Sequence, residues 1–183
     1  MNLDQYRELV RQHARLENGE AFYNNSYDHA RIIMEEMFAK AERRVKILTK
    51  ALDNRVYEGS LMTEYADYFA ASPGASLQIL IEDNLAPESL SAHPLIEDIK
   101  ESSAVEIRRV PKEIVERYSY NCAIADGLHF RFEDDRRNVS AVAAFGRKDT
   151  AEHLEDIFDQ IWAASEIIDV NNAGKRNSVG AMD

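Results

Sequence analysis

"RYSYNCAIADG", residues 117–127, decides how the rest of the chain is read. Its middle, Cys122 to Ala125, is apolar, and Asp126-Gly127 follows at once. An apolar run closed by Asp-Gly is the signature of a strand entering a tight hairpin turn. Side chains alternate along a strand, so Ser119 and Asn121 share one face while Tyr118, Tyr120 and Cys122 share the other. Two strand-like runs, 128–133 and 139–145, follow the turn. Upstream, "ASLQILIED" (75–83) is the strongest strand of the chain, and "AVEIRRV" (104–110) is another, closed by Pro111.

Further out, helices alternate with strands. Residues 3–16 carry Leu3, Tyr6, Leu9/Val10, His13 and Leu16 along one stripe, and "ENGEAFYNNS" then breaks the pattern with Gly and Asn. Ser26 is the expected N-cap of a second helix, where Tyr27, Ala30, Ile33/Met34, Met37/Phe38 and Ala41 recur at helical spacing. "RRVKILTK" (43–50) reads as a strand. Residues 60–71 form an amphipathic helix opened by Ser60 and stopped by Ser-Pro-Gly. "HPLIEDIKES" is a short helix with Pro94 near its start. A last helix spans about 149–166, with Asp149 and Glu152 as a capping box and Leu154, Ile157/Phe158 and Ile161/Trp162 buried.

Early strands separated by helices imply parallel crossovers, and the late cluster joined by short turns implies antiparallel additions. The expected fold is therefore α/β: a mixed β-sheet flanked by helices on both faces, with an extra N-terminal helix. The expected segments are 1–25 (helix and connector), 26–170 (main domain) and 171–183 (a flexible tail without apolar pattern).

Composition narrows the function. The chain has 183 residues, 45% hydrophobic and 30% charged, as a globular domain does. No apolar run approaches the roughly 20 residues of a membrane span, and the polar N-terminus lacks a signal-peptide core. With one cysteine, Cys122, no internal disulfide is possible, and a reducing cytoplasm is the expected location. A net charge of −11 disfavours nucleic acid and anionic membranes. The basic pairs Arg43/Arg44, Arg108/Arg109, Arg136/Arg137 and Lys175/Arg176 are diluted by acids.

Three stretches carry a family resemblance. They are "AERRVKILTKAL" (41–52), "FAASPGASLQILIED" (69–83), and "AIADG" (123–127) followed by "SAVAAFGRKDTAEHLEDIFDQIWAAS" (140–165). In this order they resemble one half of the phospholipase D-like superfamily over about residues 26–166. The family's reaction uses His-x-Lys-x-x-x-x-Asp on a strand and its turn. The histidine attacks phosphorus, and the lysine neutralises the phosphoryl oxygens. Two such motifs must meet, so the resemblance implies a homodimer for a single half. With Asp126 in the aspartate place, Asn121 holds that of the lysine and Ser119 that of the histidine. Neither is charged, and Ser119 has no base within the motif. The family's later Gly-Ser-x-Asn is replaced by "EDDR". The resemblance thus implies an inactive domain whose groove beside Ser119, Asn121, Asp126 and Ser140 binds a ligand or a partner protein in a regulatory or accessory role, with no cofactor.

Two rivals remain open. "HFRFEDDR" begins with His129-x-Arg131, a charge-conserving version of His-x-Lys, so an atypical phosphodiesterase or nuclease using that pair is one. The plainer reading of the segment is an exposed hairpin strand. The second rival is a small-ligand sensor. No His/Cys pair has metal-ligand spacing, so no metal is expected. His93 reads as a helix-entry residue, Glu35/Glu36 as a solvated face, and Asp134/Asp135 as turn residues.

Overall fold

The computed structural model describes residues 1–118, 120–135 and 139–171. Among them are eight strands in one mixed sheet, ordered β1-β7-β6-β5-β2-β3-β4-β8. The parallel centre comprises β2 (Arg44–Thr49), β3 (Ser76–Ile81) and β4 (Val105–Arg109). On the other side of β2 lie β5 (Asn121–Ala125), β6 (His129–Glu133), β7 (Ala141–Ala144) and β1 (Ala21–Asn24), each antiparallel to its neighbour. The short β8 (Glu166–Ile167) pairs with β4 at the opposite edge. This is the mixed α/β sheet expected from the order of elements.

The expected helices form as α1 (Leu3–Leu16), α2 (Tyr27–Lys40), α4 (Ser60–Ala71), α6 (Pro94–Ile99) and α8 (Lys148–Ala164); the short α3 (Asn54–Tyr57), α5 (Pro87–Ser91) and α7 (Lys112–Val115) fill the connections. Ser26 caps α2 as its hydroxyl accepts the His29 N–H. Helix α4 opens at Ser60 as expected, after Gly59 at φ 139° and without a side-chain cap. The capping box of α8 is corrected: Arg147 precedes that helix, with no side-chain cap. None of these helices is long and apolar enough to cross a membrane.

The two sheet faces differ. On one, α2 is buried almost all round, with Ile33, Met34, Met37 and Phe38 facing Val45, Ile47, Ile79 and Phe69. Helix α1 lies over α2, which corrects the reading of Glu35 and Glu36 as a solvated face. Both are buried, and they meet Arg7 (2.6 Å) and Arg11 (2.8 Å) of α1. On the other face α8 sets Leu154, Phe158 and Ile161 against Leu48, Cys122, Ile124 and Phe130. Ile157 and Trp162, expected in its core stripe, are only half-buried. Lys46 emerges beneath α8 and is held by Glu155 (2.8 Å) and Asp159 (2.7 Å).

The N-terminal connector is a strand rather than a break. Phe22 points into the core, Tyr23 outward, and β1 completes the sheet beside β7. Helix α1 ends where Gly146 passes beneath it, so close that a Cβ on Gly146 would overlap the Glu17 carbonyl.

The quoted hairpin folds as read, and Asp126 acquires a second task. Asp126 and Gly127 have φ of 56° and 65°, a left-handed pair within the three-residue connection between Ala125 and His129, where the Leu128 N–H donates to the Ala125 carbonyl (3.0 Å). The Asp126 carboxylate accepts the backbone N–H groups of Glu42 (2.8 Å), Arg43 (2.9 Å) and Arg44 (2.8 Å). It thereby clamps the α2–β2 connection onto the hairpin. Replacing it by alanine removes three charge-assisted bonds and places a Cβ-bearing apolar residue at positive φ. Asp126→Ala is expected to lower unfolding free energy by about 2–4 kcal/mol, read by urea denaturation; a loss below about 0.5 kcal/mol would refute the clamp.

Candidate functional site

In α/β sheets ligands collect outside the carboxyl ends of parallel strands. Here that end opens into a cleft of about 300 Å³. One side is the chain leaving β2, Lys50 and Ala51, which leads to Asp53 at the start of α3. Asp83, just past β3, also lines it, as do Tyr27 and Tyr57. Asp53 caps α3 and grips Arg55 through two bonds (2.9 and 2.6 Å), and the guanidinium lies 3.6 Å from the Tyr27 ring centre. Asn121, Arg131 and Glu133, from β5 and β6, complete the lining.

These last three form a closed network. Asn121 faces Glu133 across the β5–β6 pair. Its Oδ1 accepts the Lys50 backbone N–H (2.9 Å), and its Nδ2 donates to Glu133 Oε1 (2.6 Å). Glu133 Oε2 receives Arg131 Nη2 (2.8 Å). Arg131 Nε donates to Asn24 Oδ1 (3.1 Å) and Nη2 also to the Val139 carbonyl (3.3 Å), which Asn24 Nδ2 reaches at 2.6 Å. The position aligned with the family lysine therefore holds a neutral amide engaged at both ends. The nearest buried cation is neutralised by its neighbour.

Of the groove residues expected from the motif, Asn121 alone is seen in the cleft. Ser119 lies outside the described residues, as do Arg136, Arg137 and the expected tail beyond residue 171. Asp126 sits at the opposite end of β5, with its carboxylate spent on backbone, and is not a groove residue. Ser140 lines a separate depression with Tyr23, Asn25, Phe132 and Asp134. The structure therefore separates Ser140 from Asn121.

The His129–Arg131 alternative is also divided. The strand read as exposed is covered on both sides: His129 is 2% exposed and Arg131 4% on one face, and Phe130 4% on the other. Both residues share a face, yet only Arg131 reaches the cleft. His129 Nδ1 accepts the Gly146 N–H (3.1 Å), which occupies the lone pair a nucleophile needs, while Nε2 lies 3.8 Å from Glu17 Oε1. Burial lowers its pKa, opposed by the carboxylates of Glu17 and Asp126 and assisted by Lys40.

His93 behaves as the helix-entry residue expected, its Nδ1 accepting the Leu95 N–H at the start of α6. Burial pushes the Cys122 thiol up to about 12, so it stays protonated and inert near neutral pH. Among the described residues no group of three or more His, Cys, Asp or Glu side chains is placed to hold a metal. The sequence reading missed Lys50, Asp53, Arg55 and Asp83; the signal available was their place just after the carboxyl ends of two strong strands.

With this geometry in place, the comparisons locate the chain. The family described as a domain of unknown function, DUF7931, matches residues 26–170. A search of curated proteins returns no match. Among solved structures, the phospholipase D family member Nuc from Salmonella typhimurium is similar at a TM-score of 0.58 and 10% identity, covering 82% of this chain and 98% of Nuc. NucT from Helicobacter pylori gives 0.53 and 10%, covering 81% and 99%. The archaeal chromatin protein TrmBL2, described by a novel mode of DNA binding, gives 0.57 and 19%, covering 89% of this chain and 61% of that one. At such identities the likeness establishes a phospholipase D-like fold.

One buried and two half-buried histidines make stability acid-sensitive. Burial lowers the pKa of His129, His93 and His29. Unfolded histidine takes up its proton near pH 6.5, so below that the unfolded state binds more protons than the folded one. Stability should be full above this pH and fall as pH drops. Denaturation across that range should show a shallower decline in His129→Gln; an identical slope would remove His129 from the account.

Proposed function

We propose that this chain, which belongs to the DUF7931 family, is a catalytically inactive phospholipase D-like domain that works by binding, as a homodimeric regulatory or accessory subunit. The observation that carries the reading is the Asn121–Glu133–Arg131–Asn24 network. Phosphoryl transfer needs a nucleophile and a cation free to meet developing negative charge. Asn121 supplies no charge, Arg131 spends its charge on Glu133, and His129 stands outside the cleft with Nδ1 occupied. The charged side chains around the same space, three acidic and three basic, sum to zero and offer a phosphate dianion no net attraction.

The fold is compatible with either task, since its similar structures include nucleic-acid-binding TrmBL2 and a phosphatidylserine synthase from Haemophilus influenzae (TM-score 0.57, 10% identity). The synthase match covers 85% of this chain and 41% of that one. For this chain the net charge of −11 argues against a nucleic-acid partner. The dimer follows from the resemblance, in which two half-domains face each other across their motif strands. A small-ligand sensor is the second reading, favoured by the cleft itself: two of its charged side chains, Lys50 and Asp83, have no ionic partner among the described residues.

Both parts are testable on the purified chain. A generic phosphodiester, bis(p-nitrophenyl) phosphate, and single-stranded DNA should remain intact, and light scattering should give twice the chain mass. Hydrolysis that disappears in His129→Ala or Arg131→Ala would overturn the inactive reading. A monomer at micromolar concentration would overturn the dimer.

A further inference from the structure

Six ionic side chains line the cleft: Lys50, Arg55, Arg131, Asp53, Asp83 and Glu133. Four cancel in pairs, Arg55 with Asp53 at 2.6 Å and Arg131 with Glu133 at 2.8 Å. The remaining two are Lys50 and Asp83, and neither side chain has an ion pair or hydrogen bond among the described residues. Their backbones meet where β2 and β3 end, the Asp83 N–H donating to the Lys50 carbonyl at 2.9 Å, and both residues line the same cleft. One cation and one anion are thus presented together at the cleft.

From this residual pair we infer that the cleft binds a small zwitterion, an α-amino acid, with its carboxylate on Lys50 and its ammonium on Asp83. The inference rests on the binding reading above and assigns that site its ligand class. A ligand of single charge would satisfy one side chain and oppose the other, whereas a zwitterion answers both. The volume of about 300 Å³ suits one small molecule. The walls are already set: Asn121 fixes the Lys50 backbone, and the Asp53 cap and the Tyr27 ring fix Arg55. Binding therefore needs little ordering beyond the Lys50 side chain.

The test is thermal denaturation of the full chain with the standard α-amino acids at millimolar concentration, each beside its N-acetyl and methyl-ester derivatives, and with inorganic phosphate. At least one amino acid should raise the melting temperature. Blocking either its ammonium or its carboxylate should weaken binding by at least about tenfold, and Lys50→Met and Asp83→Asn should do the same. Neither substitution touches the Asn121–Glu133–Arg131 network through a side chain, so the unliganded variants should melt with the wild type. If a variant does not, isothermal titration of wild type against the derivatives decides alone. No shift with any amino acid, an equal shift with the blocked derivatives, or a shift from phosphate in its place overturns the inference. Amino-acid silence without phosphodiester hydrolysis removes this inference and leaves the inactive reading intact. Hydrolysis removes the inactive reading itself.

Discussion

A charge enclosed in a sheet obliges its surroundings, and Arg131 is the charge around which this molecule is arranged. An unpaired guanidinium at 4% exposure would cost several kcal/mol. Three elements are placed so that it is not bare: Glu133 two residues along the same strand, Asn24 on β1, and the Val139 carbonyl before β7. Asn121 then ties the Glu133 carboxylate to the chain leaving β2. A lysine in place of Asn121 would compete with Arg131 for Glu133 and leave the Lys50 N–H without its acceptor. The same contacts that keep this interior intact therefore withhold the charge of Arg131 from the cleft.

Charge also orients the helices on each face. Arg7 and Arg11, one turn apart on α1, meet the adjacent Glu35 and Glu36 of α2, so α1 seats on α2 in one register. Beneath α8, Lys46 lies between Glu155 and Asp159 and 5.6 Å from the centre of the Phe158 ring. In each case apolar burial supplies the driving force, and the ionic contact selects the rotation of the helix.

Much of the fold was legible because its signals are local. Periodicity located α2 and α8, continuous apolar runs located β2 and β3, and Asp-Gly located the hairpin. The misreadings arose where identity depends on a distant partner. Four residues of β1, flanked by Gly and Asn, carry too little pattern to announce a strand, and β7 across the chain makes them one. Alternation along "HFRFE" distinguishes two faces without saying that both are covered. Glu35 and Glu36 look like surface until α1 is laid over them, and the spacing of Arg7 and Arg11 was the available clue. The candidate site was legible at Asn121 and, through the rival His129/Arg131 reading, at Arg131. Lys50, Asp53, Arg55, Asp83 and Glu133 come from separate stretches that tertiary structure alone unites.

The pairing of β1 with β7 has a bearing on synthesis. Asn24 reaches the Val139 carbonyl across 115 positions of sequence. During translation α1 and α2 can associate as soon as both have emerged, while β1 must wait until β7 has been made before its ladder exists. Until then one side of the nascent sheet has no terminal strand, and Arg131 lacks one of its acceptors. Closure of the N-terminal strand is thus a late, long-loop event, and the interval before it is when a growing chain of this kind is most exposed to pairing with the wrong neighbour.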